Sequence, residues 1–444
     1  MRADKKEIRV GLIGLGTVGG GVVRVLRDNA ELIRRRLGVP LRLVKAAERD
    51  PSRAKALGLS PEQVTTKAEE LIADPSIDII IELIGGYDPA ERFLIEAMRQ
   101  GKSVVTANKA LLATAGERLF EAAARHHVDL AFEASVGGGI PILRAIKEGL
   151  AANRIDAIYG IINGTSNYIL TKMTEAGASF ADALAQAQKA GYAEADPTFD
   201  VDGIDSAHKL AILAALSFGS PIEFKEIYTE GIRALDPVDI AYARELGYRV
   251  KLLAIAKPAD GALELRVHPT MVPADELLAD VEGVDNAIFV TGDAVGETLF
   301  YGKGAGQLPT ASAVVGDLIE IGRNLLRGAT GRVAPTGYLP TERRPMRLRP
   351  MAEIDSLYYL RFQAYDRPGV LSNIAGVLGR HQISIASVIQ KSRAADAAVP
   401  LIMMTHVARE RQVRQALAEI DAGSDVAGRT VLIRVEGEEA PHAA

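Results

Sequence analysis

The sequence predicts an α/β protein whose first domain is a doubly wound parallel sheet. Two observations favour this class. Short apolar segments alternate with helical patterns over the first 134 residues, and a glycine-rich turn follows the first apolar segment. A second alternation of strand and helix patterns occurs near the C-terminus, after a proline-rich stretch. We therefore expect three folded domains in the 444 residues.

The first domain is expected over residues 1–140. Its predicted strands are short apolar runs with helical patterns between them, which is typical of parallel strands joined by helices. These strands are residues 8–13, 41–47, 77–83, 102–107 and 128–134. The first helix is expected to run to about Arg36. An amphipathic helix at 308–327 follows a glycine-rich loop, and we expect residues 305–328 to complete this domain.

The middle of the chain has a different pattern and predicts an α+β domain over residues 141–304, which would bind substrate and form dimers. Its strands are expected at 154–163 and 250–256, with longer helical stretches between them. Residues 329–353 contain four regularly spaced prolines among clustered arginines, which predicts an exposed linker. Residues 354–437 are expected to form a small separate domain.

The composition excludes several classes of function. A formal net charge of -5 gives no general attraction to nucleic acid or to anionic membranes. The chain has no cysteine, so disulfides and thiolate metal sites are excluded. Its apolar runs fall well short of the roughly 20 residues that a membrane-spanning helix needs. These features favour a soluble cytoplasmic protein.

The glycine-rich turn predicts a dinucleotide site. Gly14, Gly16 and Gly19 form a G-x-G-x-x-G motif around Thr17 and Val18, between the first strand and the first helix. The first glycine permits the tight turn, the second lets a pyrophosphate approach, and the third lets the helix pack on the strand. Free N–H groups at the helix N-terminus would bind the phosphates. A purely structural glycine turn is the alternative.

The end of the second strand bears on the choice of cofactor. An acid there, Glu48 or Asp50, would hold the ribose 2′-hydroxyl of NAD, whereas Arg49 would pair with the 2′-phosphate of NADP. The arginine favours NADP as the preferred cofactor, with NAD as the alternative. These residues could also be ordinary solvated charges of a loop.

An acidic loop and a lysine suggest acid–base chemistry in the middle domain. Asp205 and Lys209 are four residues apart and would share one face of a helix. Further carboxylates crowd the preceding loop, namely Glu194, Asp196, Asp200 and Asp202. Carboxylates suit a substrate with an ammonium group, and a lysine beside them could transfer a proton. From spacing alone, a solvated acidic loop with a helical ion pair remains the alternative.

Three segments together resemble the homoserine dehydrogenases. They are TANKALLA at 106–113, GIINGTSNYIL at 160–170 and GYAEADPTFDVDGIDSAHKLAIL at 191–213. The resemblance extends from about Ile8 to Leu326. It implies interconversion of L-homoserine and L-aspartate 4-semialdehyde with NAD(P), within threonine, methionine and isoleucine biosynthesis. A diaminopimelate dehydrogenase and a non-enzymatic amino-acid sensor are the alternatives that these segments disfavour.

The resemblance also implies roles for individual residues. Lys209 would be the acid/base, Asp205 would fix the reacting end of the substrate, and Glu194 would bind its amino group. The other implied contributors are Asp200, Asn163 and Thr165 for the substrate, Lys109 at the junction of substrate and cofactor, and Gly306 in a loop over the cofactor.

A glycine-rich segment at 133–140, EASVGGGI, resembles a loop of the same family that binds a structural sodium ion through backbone carbonyls. The matching positions are Glu133, Val136, Gly138 and Ile140. Glycines let a chain turn its carbonyl oxygens inward, and hard cations prefer oxygen ligands. A glycine-rich hinge without an ion is the alternative.

The C-terminal region from Tyr358 to Lys391 resembles an ACT domain, a ferredoxin-like module. It contains a DRPGVL turn at 366–371, and strands are expected at 358–365, 383–390 and 400–407. The resemblance implies an amino-acid effector, usually threonine, held near Asp366, Gly369 and Asn373. ACT domains usually pair side by side, which implies a homodimer or homotetramer. A domain that only pairs subunits is the alternative.

Overall fold

Strands and helices alternate through the N-terminal region, as the sequence predicts. In the computed structural model, which describes residues 5–391 and 397–437, they are β1 (Ile8–Ile13), α1 (Thr17–Asp28), α2 (Ala30–Leu37), β2 (Leu41–Ala47), α3 (Pro51–Ala56), β3 (Val64–Thr65), α4 (Ala68–Ala73), β4 (Ile79–Glu82), α5 (Ala90–Arg99), β5 (Ser103–Thr106), α6 (Lys109–His126) and β6 (Leu130–Ala131). The sequence did not predict β3 or α4. The single helix expected up to Arg36 is two helices, because the chain turns at Asn29.

The middle region contains more strands than the sequence predicted. Its elements are α7 (Ile142–Arg144), β7 (Ile155–Ile161), α8 (Gly164–Ala176), α9 (Phe180–Lys189), α10 (Thr198–Val201), α11 (Ile204–Phe218), β8 (Tyr228–Thr229), α12 (Pro237–Glu245), β9 (Tyr248–Ala259), β10 (Ala262–Pro273), β11 (Asp285–Gly292), β12 (Gly296–Lys303) and α13 (Gln307–Arg327). The strands β10, β11 and β12 were not expected. Asp260 and Gly261 join β9 to β10 with positive φ at both positions, as a two-residue hairpin turn requires.

The C-terminal region follows the order of a ferredoxin-like domain. Its elements are β13 (Arg347–Leu348), β14 (Asp355–Tyr365), α14 (Val370–Arg380), β15 (Ile385–Ile389), β16 (Ala398–Thr405), β17 (Ala408–Arg409), α15 (Glu410–Asp421) and β18 (Val431–Val435). The four main strands lie in the order β18-β14-β16-β15. This βαββαβ arrangement confirms the predicted fold of the region.

The elements fall into two units, and each is built from separate stretches of sequence. The first contains residues 5–164, 204–227 and 284–346, and the second contains residues 165–203, 228–283, 347–391 and 397–437. In neither of these described units is any helix long and apolar enough to cross a membrane.

The parallel sheet of the first unit has the order β3-β2-β1-β4-β5-β6. The central strand β1 pairs with β2 on one side and with β4 on the other. The crossover connections therefore leave in opposite directions at the carboxyl end of β1, which is where such sheets bind ligands. The sheet confirms the predicted doubly wound class and places the glycine turn at the binding edge.

The helix α13 completes the core of the first unit, although it comes late in the sequence. Val314 and Leu318 are fully buried with Ile8, Val10 and Val22 of the N-terminal strand and helix. Burying one such side chain contributes about 1.5–3 kcal/mol. The first unit also contains an antiparallel set in which β11 pairs with β7 and with β12.

In the second unit, the ferredoxin-like strands join the hairpin of β9 and β10. β18 pairs in parallel with β10 through Thr270 opposite Arg434 and Met271 opposite Val435. β14 is antiparallel to both β18 and β16. The small domain therefore shares a sheet with strands from the middle of the chain.

The proline-rich segment at 329–353 is mostly exposed or half-buried, and it is anchored along its length. In the first unit, the Tyr338 hydroxyl donates to the Ser217 carbonyl over 3.0 Å, and the Arg343 guanidinium makes two bonds to Glu117. β13 pairs with β10 in the second unit. The segment is thus held by defined contacts on both units.

Substitutions at two neighbouring glycines of α1 would test how closely α13 packs against that helix. A Cβ at Gly21 would lie 2.5 Å from the Gln307 carbonyl oxygen, whereas a Cβ at Gly20 would meet Leu57 at an ordinary 3.4 Å. Gly21→Ala should therefore lower stability by roughly 1–3 kcal/mol, because the backbone of α13 must shift. Gly20→Ala should leave stability unchanged or raise it by up to about 1 kcal/mol, the usual gain in helix propensity. Thermal unfolding of both variants measures the difference, and equal melting temperatures would contradict the packing argument.

Candidate active site

The glycine turn has the geometry that its sequence predicts. Gly14 adopts φ +98, and a Cβ there would lie 2.9 Å from the Leu83 carbonyl oxygen. A Cβ at Gly19 would lie 2.0 Å from the Gly14 carbonyl oxygen. At Gly16 the nearest described atom to a Cβ would be Arg53 Nη1, 4.0 Å away. The first and third glycines are thus required by packing, and the second leaves space for a ligand.

The start of α1 is suited to bind phosphate. Thr17 and Val18 are its first residues, and Gly16 is its N-cap. Among the described residues no side chain caps this end, so its N–H groups face the open space at Gly16. A cleft of about 370 Å³ opens there, lined by residues at the ends of β1, β2 and β4 and by residues of α3, α4 and α5. These features fit a dinucleotide.

The residues after β2 differ in role. The Glu48 carboxylate accepts hydrogen bonds from the Leu15 and Asp50 amides, over 2.8 and 3.1 Å, and so braces the glycine turn. Arg49 is exposed on the rim of the cleft. Sequence reasoning missed a second arginine, Arg53 in α3, which lies beside Gly16. Its position one turn into a helix that begins with Pro51 could have identified it.

The predicted cofactor-closing loop packs against the glycine segment of 133–140. Gly306 adopts φ +126 directly before α13. The Gly139 amide donates to the Lys303 carbonyl over 3.0 Å. A Cβ at Gly138 would lie 2.5 Å from the Gly304 carbonyl oxygen. The two loops therefore touch backbone to backbone, which requires glycine at position 138.

A buried carboxylate joins the predicted catalytic residues of the first unit. The Lys209 ammonium lies 2.7 Å from Asp205 Oδ2, and the Asn163 amide donates to the same oxygen over 2.8 Å. The Lys109 ammonium lies 2.9 Å from Oδ1. Lys209 also donates to the Ile162 carbonyl over 2.6 Å. The structure thus brings together four residues from three distant segments.

Local structure explains how these side chains converge. Asp205 and Lys209 are one turn apart on α11, as their spacing predicts. Lys109 is the first residue of α6, whose N-cap Asn108 accepts a bond from the Leu111 amide. Asn163 lies two residues after the end of β7. Two helix starts and one strand end therefore meet at one carboxylate.

The electrostatics keep the Asp205 carboxylate charged. Burial alone would raise its pKa, since the residue is only 3% exposed. The ammonium groups of Lys209 and Lys109 outweigh burial and hold the pKa of Asp205 well below its usual value. Burial lowers the pKa of the neighbouring His208 to about 4, so its imidazole is neutral at pH 7. The lysines are thus the positive charges at this carboxylate at neutral pH.

The family models match nearly the whole chain. A homoserine dehydrogenase model matches residues 141–319, and a model of the homoserine dehydrogenase NAD-binding domain matches residues 14–133. An ACT domain model matches residues 358–422.

Individual relatives agree with these models. A homoserine dehydrogenase of Pseudomonas aeruginosa is 48% identical over 432 residues, covering 97% of this chain and 99% of the relative. The chain belongs to the homoserine dehydrogenase family. It is an oxidoreductase that acts on a CH–OH group with NAD(P).

Solved homoserine dehydrogenases share the fold. One from Thiobacillus denitrificans is 50% identical, covers 97% of this chain and 98% of its own, and superposes with a TM-score of 0.92. A hyperthermophilic archaeal homoserine dehydrogenase in complex with NADPH is 28% identical, covers 71% of this chain and 97% of its own, and has a TM-score of 0.61.

The acidic loop lies in the second unit and is held by the first residues of α8. Thr165, predicted to contact substrate, donates its hydroxyl to the Tyr192 carbonyl over 2.7 Å. The Ser166 hydroxyl donates to the Asp200 carbonyl over 3.0 Å. Glu194 is exposed on the same loop. Sequence reasoning missed Ser166, although it lies in the quoted NGTSNYIL segment.

Glu82 is a second buried carboxylate near the site that sequence reasoning missed. It is fully buried at the end of β4, and it accepts bonds from the amides of Ile84 and Gly85 over 2.8 and 3.0 Å. It also accepts the Thr106 hydroxyl over 2.6 Å, next to the segment that carries Lys109. A charged residue that ends an apolar strand was the available signal.

The predicted cation loop uses its one carboxylate internally. Glu133 accepts the amides of Leu143 and Arg144, both over 2.8 Å, and so caps α7. Any cation at this loop would therefore rely on backbone oxygens, as the sequence predicts for Val136, Gly138 and Ile140. Among the described residues, no cluster of three or more acidic or histidine side chains could hold a metal.

The three predicted effector residues lie together in the ACT domain. Gly369 adopts φ +96 and is the N-cap of α14. The Asn373 amide donates to the Asp425 carboxylate over 2.9 Å. The Asp366 amide donates to the Ala397 carbonyl over 3.0 Å. The start of α14 is exposed at Arg367, Pro368 and Gly369.

Proposed function

We propose that this enzyme interconverts L-homoserine and L-aspartate 4-semialdehyde, with Lys209 as its acid/base. The observation that carries the proposal is the buried Asp205–Lys209 pair, held from a second side by Asn163 and Lys109. This reaction would serve threonine, methionine and isoleucine biosynthesis.

The cofactor would lie on the glycine turn, with its phosphates at the start of α1. When bound, the nicotinamide supplies or accepts the hydride that interconverts aldehyde and alcohol. The Lys209 ammonium would protonate the aldehyde oxygen as it becomes a hydroxyl, and the neutral amine would accept that proton in the reverse direction.

Asp205 would act mainly through Lys209. Its charged carboxylate, together with the Ile162 carbonyl, fixes the position of the Lys209 ammonium. Its other oxygen holds Lys109, which would lie between cofactor and substrate. Glu194 and Asp200 would bind the ammonium group of the substrate, since carboxylates complement that charge.

The proposed NADP preference rests on Arg49. The residue is exposed at the rim of the cleft after β2, and Arg53 adds a second guanidinium there. The archaeal relative solved in complex with NADPH supports binding of the phosphorylated cofactor. NAD would bind more weakly, because Glu48 is engaged by the amides of the glycine turn.

We further propose a structural sodium ion at Glu133, Val136, Gly138 and Ile140. Positive φ angles at Gly137 and Gly138 change the direction of successive carbonyls in this loop, as a backbone cation site needs.

The proposed effector of the ACT domain is threonine, bound at the start of α14. Because β15 ends the sheet order with Val388 exposed, a second copy would pair along this edge.

Replacing Lys209 tests the acid/base assignment. Lys209→Ala should lower kcat by roughly 10²–10⁴-fold while cofactor affinity stays near that of the wild type. Lys172→Ala, which removes a half-buried lysine paired with Glu175, is the matched control and should keep full activity. Steady-state kinetics with homoserine measures both variants. A Lys209→Ala enzyme with near wild-type kcat would refute the role.

Replacing Arg49 tests the cofactor preference. Arg49→Ala should raise the KM for NADP by roughly tenfold or more and change that for NAD little, since a charged hydrogen bond contributes about 1.5–3 kcal/mol. Arg42→Ala, at the opposite end of β2, is the control. Equal weakening of both cofactors by Arg49→Ala would show that this residue does not contact the 2′-phosphate.

Replacing Asn373 tests the effector site. Threonine should inhibit the wild-type enzyme, and Asn373→Ala should require several-fold more threonine without losing uninhibited activity. Gln412→Ala, on the exposed face of α15, is the control within the same domain. Initial rates against threonine concentration decide the outcome. Unchanged inhibition in Asn373→Ala would place the effector elsewhere.

A further inference from the structure

A buried arginine of the ACT domain bonds to two glutamates on different parts of the second unit. Arg434 in β18 is 1% exposed. Its guanidinium holds Glu410 of the same domain over 2.6 and 3.0 Å, and it lies 2.9 Å from the Glu230 carboxylate. Glu230 follows β8 in the middle of the chain. The Tyr228 hydroxyl donates to the same Glu230 oxygen over 2.7 Å.

The two halves of this ion-pair group differ in burial. Glu410 is buried with Arg434, whereas the side chain of Glu230 is 37% exposed. An ion pair that reaches solvent breaks at lower cost than one that is enclosed, because water can replace the lost partner. The contact between Arg434 and Glu230 is therefore the one that a small movement of β18 would break.

The residues after Glu230 pack directly on the acidic loop of residues 194–202, which is called the substrate loop below. A Cβ at Gly231 would lie 2.3 Å from the Val201 carbonyl oxygen and 2.5 Å from Asp202 Cα, so the two backbones touch. The Ile232 amide donates to the same Val201 carbonyl over 2.8 Å. Any displacement of residues 230–232 must move this part of the loop.

Arg233 adds side-chain bonds to the same loop. Its guanidinium donates to Asp202 over 2.5 Å and to the Thr198 hydroxyl over 3.0 Å. These two residues flank Asp200, one of the proposed substrate ligands. The four residues 230–233 thus connect Arg434 of the ACT domain to the loop that would bind the amino group of the substrate.

We propose that residues 230–233 transmit the state of the ACT domain to the substrate loop, with Glu230 and Arg233 as positioning residues. This inference rests on the proposed effector function of that domain. When β18 shifts, Arg434 releases or holds Glu230, and residues 231–233 carry the change to residues 198–202. An effector that favours one of these states over the other would therefore change substrate affinity.

The test uses the full-length enzyme and two variants that each remove one ion pair at the same arginine–glutamate group. Glu230→Ala removes the link to the substrate loop, and its partly exposed side chain can be truncated without opening a buried cavity. Arg414→Ala removes the exposed bond to Glu410 inside the ACT domain and is the matched control.

Hydrogen exchange without effector measures the link itself. In Glu230→Ala the amides of residues 201–203 and 232 should exchange at least about threefold faster than in the wild type, and in Arg414→Ala they should not. Unchanged exchange in Glu230→Ala would overturn the inference, whatever the effector is.

Inhibition by threonine tests whether this link transmits the effector signal to the substrate loop. Glu230→Ala should bind threonine with wild-type affinity in calorimetry but need at least about tenfold more for half-inhibition, through a change in the KM for homoserine. Identical inhibition of wild type and Glu230→Ala would overturn the transmission role. If the wild type neither binds nor responds to threonine, the proposed effector fails, while the exchange measurement still decides the link.

Discussion

The carboxylate of Asp205 is the point on which the candidate active site depends. A buried carboxylate is costly unless it is paired and hydrogen-bonded. Here Lys209, Lys109 and Asn163 satisfy both of its oxygens, and the pKa of Asp205 stays low in spite of burial. The ends of α6 and β7 are therefore held in register with α11. The same bonds that offset the cost of burial place the proposed acid/base at a defined position.

A second constraint is the close approach of backbones, which glycine alone permits. Gly19 packs on the glycine turn, and Gly21 lets α13 lie against α1. Gly138 does the same where two loops meet. These contacts tie the cofactor cleft to a helix that comes some 300 positions later in the chain. The shape of the cleft consequently depends on the same packing contacts as the core of the first unit.

A buried ion pair also joins the ACT domain to the rest of the second unit. Asp239 of α12 is fully buried, and the Arg361 guanidinium of β14 holds it through two bonds. Removing one partner of such a pair costs about 3–5 kcal/mol, because the other charge stays buried. The ACT domain thus contributes to the stability of the second unit. Its strands are bonded directly to segments from the middle of the chain.

The sequence by itself determined those features that depend on neighbouring residues. The roles of Gly14, Gly16 and Gly19, the shared helical face of Asp205 and Lys209, and the turn before α14 all follow from local geometry. Family resemblance added Lys109 and Asn163. The turn at Asp260 and Gly261 is likewise a local signal, and it indicates the hairpin of β9 and β10.

Only the tertiary structure decided which distant groups meet. Nothing in the spacing shows that Lys109 shares a carboxylate with Lys209, that Thr165 and Ser166 hold loop carbonyls, or that Arg434 reaches Glu230. Periodicity reports which face of an element is buried, but a contact between remote segments depends on how the elements pack. The physical reason is that each of these ion pairs and hydrogen bonds joins groups far apart in sequence, which come within bonding distance only after folding has offset the entropy cost of closing the loop between them.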